Sequence, residues 1–212
     1  MKSIFLTAQD SGWYPQFLQP VADAIHADPS KRKVLDIGTG PGKLPEILIA
    51  NHPYLDITAI DIAPRMIEQA RKRLKGKPVK LQVQIPNTAL PFADQTFDIV
   101  TFCSVLFLLA DPIRENLMDE ALRVLKPDGK VIILNPSGKK KRITAPFEIW
   151  KYPFSMANWT FLVWKTLTTG AARNWQKQNW AARYAHTHRL KHIFSLTFNN
   201  NGCIECITNA TK

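Results

Sequence analysis

The stretch Val34-Leu35-Asp36-Ile37-Gly38-Thr39-Gly40-Pro41-Gly42-Lys43 constrains the fold more than any other part of the chain. Val34, Leu35 and Ile37 read as the end of a buried parallel strand, and Leu44 to Ala50 as an amphipathic helix. Three glycines at alternate positions join the two. A strand that feeds a helix through glycines brings bare backbone N–H groups and the positive end of the helix against a ligand. The expected architecture is therefore a doubly wound α/β sheet with a nucleotide-type cofactor loop at its C-terminal edge. Two common loops of that kind do not fit the spacing. The dinucleotide fingerprint is G-x-G-x-x-G, whereas Gly38, Gly40 and Gly42 make G-x-G-x-G. A Walker loop ends in G-K-[ST], and here Gly42-Lys43 is followed by Leu44.

With Asp36 two residues ahead of the first glycine, the string becomes D-x-G-x-G-x-G. It resembles motif I of the class I S-adenosylmethionine (SAM) methyltransferases, in particular the small, type 11-like members. The resemblance implies that Asp36, Gly38, Thr39, Gly40 and Gly42 surround the cofactor, whose amino-acid end is cationic and suits a nearby acid. A second strand, Ile57 to Asp61, ends in a carboxylate 25 residues after Asp36. An acid at that tip can accept hydrogen bonds from both ribose hydroxyls of an adenosine. The segment Ile62 to Arg71 resembles the family's stretch after this acid. Pro64 suits a first helical turn, and Ile62 and Met66 are apolar groups expected to flank the adenine.

Pro78 to Ile85 reads as a third strand. Leu90-Pro91-Phe92 followed by Phe97-Asp98-Ile99-Val100 resembles the family's loop and fourth strand. The family usually carries an adenine-binding Asp four residues before Leu90, and this chain has Pro86 there; Asn87, with Thr88 beside it, is the candidate replacement. By topology the end of the fourth strand puts Cys103 and Ser104 beside the cofactor, with Phe107 toward the acceptor. The Asn/Asp-Pro-Pro-Tyr/Phe motif of enzymes that methylate nucleic-acid amines is absent, as is a Pro-Cys pair of the cytosine-C5 type. A helix from Glu115 to Leu125, the turn Lys126-Pro127-Asp128-Gly129 and a fifth strand from Lys130 to Leu134 complete a resemblance that runs from Lys33 to Asn135. His192 to Phe198 and Cys203 to Asn209 read as a hairpin joined by Asn199-Asn200-Asn201-Gly202. The implied fold is Rossmann-like: a seven-stranded, mostly parallel sheet with a C-terminal antiparallel hairpin.

The 212 residues suit one methyltransferase domain carrying two additions. Residues 1–30 form an expected N-terminal lid helix, in which Trp13 and Tyr14 are candidates to touch the acceptor. Residues 138–191 form a basic, tryptophan-rich element on the substrate side. Charge divides the chain sharply: residues 1–137 carry a net +1, and residues 138–212 a net +10 together with five of the six tryptophans. Phe154 to Tyr184 has helical periodicity, with Met156, Thr160, Val163, Trp164 and Leu167 on one expected face. Aromatics and cations on a helix suit peripheral membrane contact through 139–184. They also suit an RNA grip, which the missing nucleic-acid motifs disfavour. A partly exposed helix with snorkelling cations is the plain structural alternative.

Residues 1–12 have no long apolar run, and three cysteines suit a reducing compartment, so the expected location is cytoplasmic or peripheral to a membrane. Cys203 and Cys206 would point to opposite faces of a strand, so no metal site is expected. SAM is the expected cofactor and S-adenosylhomocysteine its product. The expected activity is methyl transfer by in-line displacement to a small or lipophilic acceptor; the alternatives are an RNA-modifying methyltransferase and a SAM binder without transferase activity. His26, His52, His186, His188 and His192 match no catalytic position of the family, and no general base is assigned.

Overall fold

A computed structural model describes residues 6–27, 29–139, 150 and 155–209. The strands are β1 (Lys33–Ile37), β2 (Asp56–Asp61), β3 (Val79–Val83), β4 (Phe97–Cys103), β5 (Leu125–Pro136), β6 (Leu190–Thr197) and β7 (Gly202–Asn209). They form one seven-stranded sheet in the order β3-β2-β1-β4-β5-β7-β6. The first five strands are parallel, while β7 runs antiparallel between β5 and β6. The expected Rossmann-like sheet with its C-terminal hairpin is what the chain folds into. Strand order reverses between β1 and β4, and in such sheets the crevice at that switch point takes the ligand.

The helices are α1 (Trp13–His26), α2 (Lys43–Asn51), α3 (Pro64–Arg73), α4 (Asp111–Val124), α5 (Met156–Gln178) and α6 (Trp180–Thr187), with a 3-10 turn at Leu106–Leu108. Their sequences account for their ends. Pro64 and Pro112 stand in first turns, where no backbone donor is lost. Ser155 caps α5 by accepting from the Asn158 N–H at 3.2 Å. Asn179, at φ 47°, breaks one long helical pattern into α5 and α6.

Because both sheet faces are covered, the central strands are apolar on both sides. On one face α1 and α2 bury Phe17, Leu18, Val21, Leu44 and Leu48 against Val34, Ile57, Ile99 and Ile132. On the other, α4 and α6 bury Met118, Ala121, Trp180 and Tyr184 against Leu35, Phe102, Val131 and Ile133. Helix α5 belongs to both cores: Phe161 and Trp164 pack with Trp13 and Phe17, whereas Trp175 joins the opposite cluster. At 23 residues, roughly 34 Å long, it crosses the C-terminal end of β5. There Arg173 Nε donates to the Gly138 carbonyl at 3.1 Å and Lys165 Nζ to Asn201 Oδ1 at 3.0 Å.

Two details depart from expectation. The α5 face predicted to be buried is only half right: Thr160 and Trp164 are buried, but Met156 is 84% and Leu167 49% exposed. The stripe that packs inward is instead polar in part, with Asn158, Thr168 and Thr169 buried. Threonine can face a core because its hydroxyl reaches back along the helix, as Thr168 Oγ1 does to the Trp164 carbonyl at 2.7 Å. The fourth strand also stops at Cys103, because Ser104 turns the chain at φ 60°.

Candidate cofactor and acceptor site

The site is built at the C-terminal ends of β1, β2 and β4. All three loop glycines have left-handed φ, at 76°, 56° and 81°, a region other residues seldom adopt. A Cβ on Gly38 would stand 2.4 Å from Val105 Cγ2, and one on Gly42 would stand 3.0 Å from Leu74 Cδ1 and 3.1 Å from Ala70 Cβ. A Cβ on Gly40 would meet nothing within 4 Å. Gly38 is therefore tight against the chain after β4, Gly42 lets α2 approach α3, and Gly40 faces open space. The loop itself is pinned: the Gly38 and Thr39 N–H groups donate to the Ile60 carbonyl at 2.8 and 3.0 Å.

Asp61, at the tip of β2, accepts from the Gly40 N–H at 2.9 Å through Oδ2 and from the Ala63 N–H at 2.8 Å through Oδ1. Each oxygen keeps a lone pair for a further donor. Beside it, Ile62 is 60% and Ile85 68% exposed, an apolar shelf suited to a flat ring. Met66 is half-buried on the same helix start. Asn87, at φ 58°, and Thr88 are exposed in the loop after β3. Their loop is gathered by Gln84, whose amide donates to the Ile85 and Ala89 carbonyls, both at 3.2 Å.

Asp36 is almost fully buried, and its Oδ1 accepts from Thr101 Oγ1 at 2.7 Å. Burial raises its pKa to about 6, against the opposing pull of the Thr101 and Thr39 hydroxyls, with the Asp61 charge adding to the rise. Asp36 Oδ2, Thr39 Oγ1 and Ser104 Oγ are all buried without a well-formed hydrogen bond, although the Thr39 hydroxyl lies near enough to Asp36 to act on its carboxylate. An orphaned buried polar atom costs about 1–3 kcal/mol. Three of them around the glycine loop mark a place built to receive donors and acceptors from outside the chain. Tyr14 stands on the α1 side: burial raises its phenol pKa, and the Cys103 and Asp36 groups add to the effect. Burial and Asp36 likewise raise the Cys103 thiol. Both groups are thus held toward their neutral forms.

The structure thus brings Asp36, Thr39, Gly40, Asp61, Ile62, Cys103, Ser104 and Tyr14 to one edge of the sheet. It does not bring Trp13 or Phe107 there as open surface. Trp13 is fully buried, its Nε1 donating to Thr160 Oγ1 at 3.1 Å, and Phe107 lies in the core beneath the 3-10 turn. The expected lid, α1, is packed on α2 and the sheet, and residues 1–5 and 28 of the lid segment lie outside the described residues. His26 stacks on His52 at 4.3 Å, His188 on Tyr184 at 4.0 Å, and His192 Nε2 meets Glu205 Oε2 at 2.8 Å. Cys203 is buried and Cys206 half-buried on the two faces of β7, and no metal-binding cluster occurs among the described residues.

Sequence reasoning missed three organising residues. Thr101 carries no motif and matters only through its strand register with Asp36. Arg73 clamps the glycine loop, donating to the Pro41 carbonyl at 3.1 Å, to Glu46 at 3.1 Å and to Asp10 at 2.9 Å. Arg114, 5% exposed, donates to the Leu106 and Leu109 carbonyls at 3.0 and 2.6 Å, and its guanidinium lies 5.0 and 5.2 Å from the Trp175 and Trp180 rings. Only the tryptophan enrichment hinted at such a partner.

Comparison with known proteins agrees with this architecture. A family model described as a methyltransferase domain matches residues 34–129. The ubiquinone/menaquinone biosynthesis C-methyltransferase of Desulfotalea psychrophila is 35% identical over 147 residues, covering 69% of this chain and 56% of that protein. The demethylmenaquinone methyltransferase of Thermotoga maritima is 30% identical over 162 residues, covering 75% and 64%. The chain thus spans between half and two thirds of the length of these relatives. Among solved structures, a SAM-dependent methyltransferase from Aquifex aeolicus superposes with a TM-score of 0.65 at 16% identity, covering 98% of this chain and 96% of that one. The plantazolicin methyltransferase BpumL, solved with S-adenosylhomocysteine, superposes at 0.65 with 13% identity, covering 99% and 85%. At those identities the structures speak for the fold alone. Fold, matched domain and sequence relatives agree: residues 34–129 match a methyltransferase domain, and the chain is similar to SAM-dependent methyltransferases in sequence and in fold.

Proposed function

We propose that the protein binds SAM at this edge and transfers its methyl group to a small, lipophilic acceptor. The observation that carries the reading is the open face of Gly40 beside the Asp61 carboxylate, with Asp36 Oδ2, Thr39 Oγ1 and Ser104 Oγ buried without a well-formed hydrogen bond around the same loop. Asp36 would face the cationic amino end of the cofactor, Asp61 the ribose, and Ile62, Met66 and Ile85 the adenine. Asn87 and Thr88 would edge the ring. The bound cofactor supplies a methyl group on a cationic sulfur, already activated for displacement. The chain's own task is to hold the acceptor in line and to keep water out. Tyr14, a neutral phenol at the inner wall, is the proposed hydrogen-bonding group nearest that reaction.

The lipophilic acceptor is favoured by the relatives, named for ubiquinone and menaquinone biosynthesis, and by the exposed apolar side chains Leu108, Met156 and Trp159. The test incubates the protein with methyl-labelled SAM and an extract of its source cells, then separates organic-soluble, nucleic-acid and protein fractions. Label in the organic phase is expected. Label confined to RNA would replace the acceptor class, and absence of label with tight S-adenosylhomocysteine binding would reduce the protein to a cofactor binder.

A further inference from the structure

The segment Arg71-Lys72-Arg73-Leu74-Lys75-Gly76-Lys77-Pro78-Val79-Lys80 holds six cations and no acid, within residues 1–137, whose net charge is only +1. Three of these cations have partners. Arg73 clamps the cofactor loop, Lys72 Nζ pairs with Glu68 Oε1 at 3.0 Å, and Lys80 Nζ pairs with Asp56 Oδ1 at 2.8 Å. Lys77 is exposed and meets no carboxylate among the described residues. It borders a groove that the methyl-transfer reading does not use.

The groove, about 440 Å³ in volume, opens where β2 and β3 begin, between residues 53–56 and residues 77–80. The two strands run parallel with Ile57 opposite Val79, so both start at this end. Asp61 lies at the other end of β2, roughly 17 Å along the strand. The volume is that of a small-molecule site. Its walls are apolar, made by Pro53, Tyr54, Leu55, Pro78 and Val79. Leu55 is buried and forms part of the core, whereas Tyr54 is 43% exposed. The Tyr54 ring is braced by His52 at 5.8 Å, and the Arg32 guanidinium lies 5.8 Å from its centroid. That guanidinium, like Lys77, meets no carboxylate among the described residues. Lys80 and Asp56 neutralise one another, so Lys77 and Arg32 leave two uncompensated positive charges beside an aromatic ring.

We propose that this groove is a second ligand site, which binds a nucleoside monophosphate with its base on the Tyr54 ring and its phosphate between Lys77 and Arg32. Each part of the ligand answers one part of the groove. A base presents a flat π-face that stacks on an aromatic side chain whatever its edge carries. A phosphate monoester carries a charge of about −1.5 to −2 at pH 7, which the two unmatched cations balance. Lysine meets it as a point charge and arginine as a fork of donors. Inorganic phosphate would use the cations and leave the apolar walls bare, and an uncharged nucleoside would do the reverse. The groove and the Gly40–Asp61 edge lie at opposite ends of β2, so the two sites can be filled together.

The test is equilibrium dialysis of the full chain against labelled guanosine 5′-monophosphate, with S-adenosylhomocysteine in excess to close the cofactor edge to the probe. Wild type is expected to bind the nucleotide about tenfold or more tighter than guanosine or inorganic phosphate. Tyr54→Ala and Lys77→Gln should each weaken it about tenfold, while Tyr54→Phe keeps the stacking face and most of the affinity. Lys77 is exposed, so Lys77→Gln reads the charge without disturbing the fold, and all three variants should bind S-adenosylhomocysteine as wild type does. Absence of nucleotide binding by wild type, equal affinity for inorganic phosphate, or undiminished binding in Lys77→Gln or Tyr54→Ala would each overturn the site. A short single-stranded RNA that binds the groove far more tightly than the mononucleotide would overturn the free nucleotide as its occupant.

Discussion

Gly38 and Gly40 sit two residues apart with similar backbones, yet replacing them should have opposite signatures. Gly38→Ala drives a methyl group into Val105 and should chiefly destabilise the fold. Gly40→Ala meets open space, so its cost to the fold is the left-handed backbone alone, about 1 kcal/mol, while its methyl group would enter the space proposed for the cofactor. Thermal melts should separate the first variant from wild type, and S-adenosylhomocysteine titration the second. Asp61→Ala should weaken cofactor binding by about 1–3 kcal/mol, with part of the loss arising from the freed Gly40 N–H. Unchanged affinity would remove Asp61 from the site.

Asp36 gives a pH-dependent expectation of definite sign. Its carboxyl is raised from 3.8 to about 6, so the unliganded protein loses stability as pH climbs through that interval, by about 3 kcal/mol at most. Asp36→Asn should therefore be the more stable unliganded protein at pH 7, with the difference gone near pH 3, as denaturant melts at the two values would show. A cationic ligand group favours the carboxylate, so wild-type affinity for S-adenosylhomocysteine should rise with pH through about 6. In Asp36→Asn it should stay flat, and a matching rise there would exclude Asp36 as the partner of that group.

At the scale of elements, the first half of the chain could be read because each signal there is local. Glycines need left-handed φ, an acid ends a strand, and a proline opens a helix, so β1, β2, α2 and α3 lie within a residue or two of expectation. The rest depended on partners distant in sequence. Nothing within α5 says that Thr160 faces the Trp13 indole or that Asn158 Oδ1 accepts from the Gly12 N–H at 2.8 Å, so periodicity placed Met156 and Leu167 inside. The Arg114 hub was equally hidden, since its acceptors are backbone carbonyls that any residue supplies. Arg114→Met should cost about 2–4 kcal/mol in urea melts by leaving the Leu106 and Leu109 carbonyls unmatched. A neutral result would mean that those carbonyls find water.

For the molecule as a whole, the positive charge of the sequence is concentrated in the last third, which also exposes Met156, Trp159 and Leu167. No helix among the described residues is long and apolar enough to cross a membrane. We propose peripheral contact through 139–184, of which residues 140–149 and 151–154 lie outside the described residues. Met156, Trp159 and Leu167 are exposed along α5, in the part of the sequence, residues 138–212, that carries a net charge of +10. Anionic vesicles should therefore retain the protein, high salt should release it, and Met156→Glu with Leu167→Glu should abolish retention. Retention of that double variant would remove α5 from the contact.

The two anchors of α5 decide how the molecule can open. Trp164 is set in one core and Trp175 in the other, on opposite sides of the same sheet. A flap needs one free end, and this helix has none: lifting it would pull a tryptophan out of each core at once. It is a crossbeam, and it holds the spacing between the two helical layers while leaving the rim beside it adjustable. Within that rim the Val105–Leu109 segment is tied down by the residue that grips its carbonyls, Arg114.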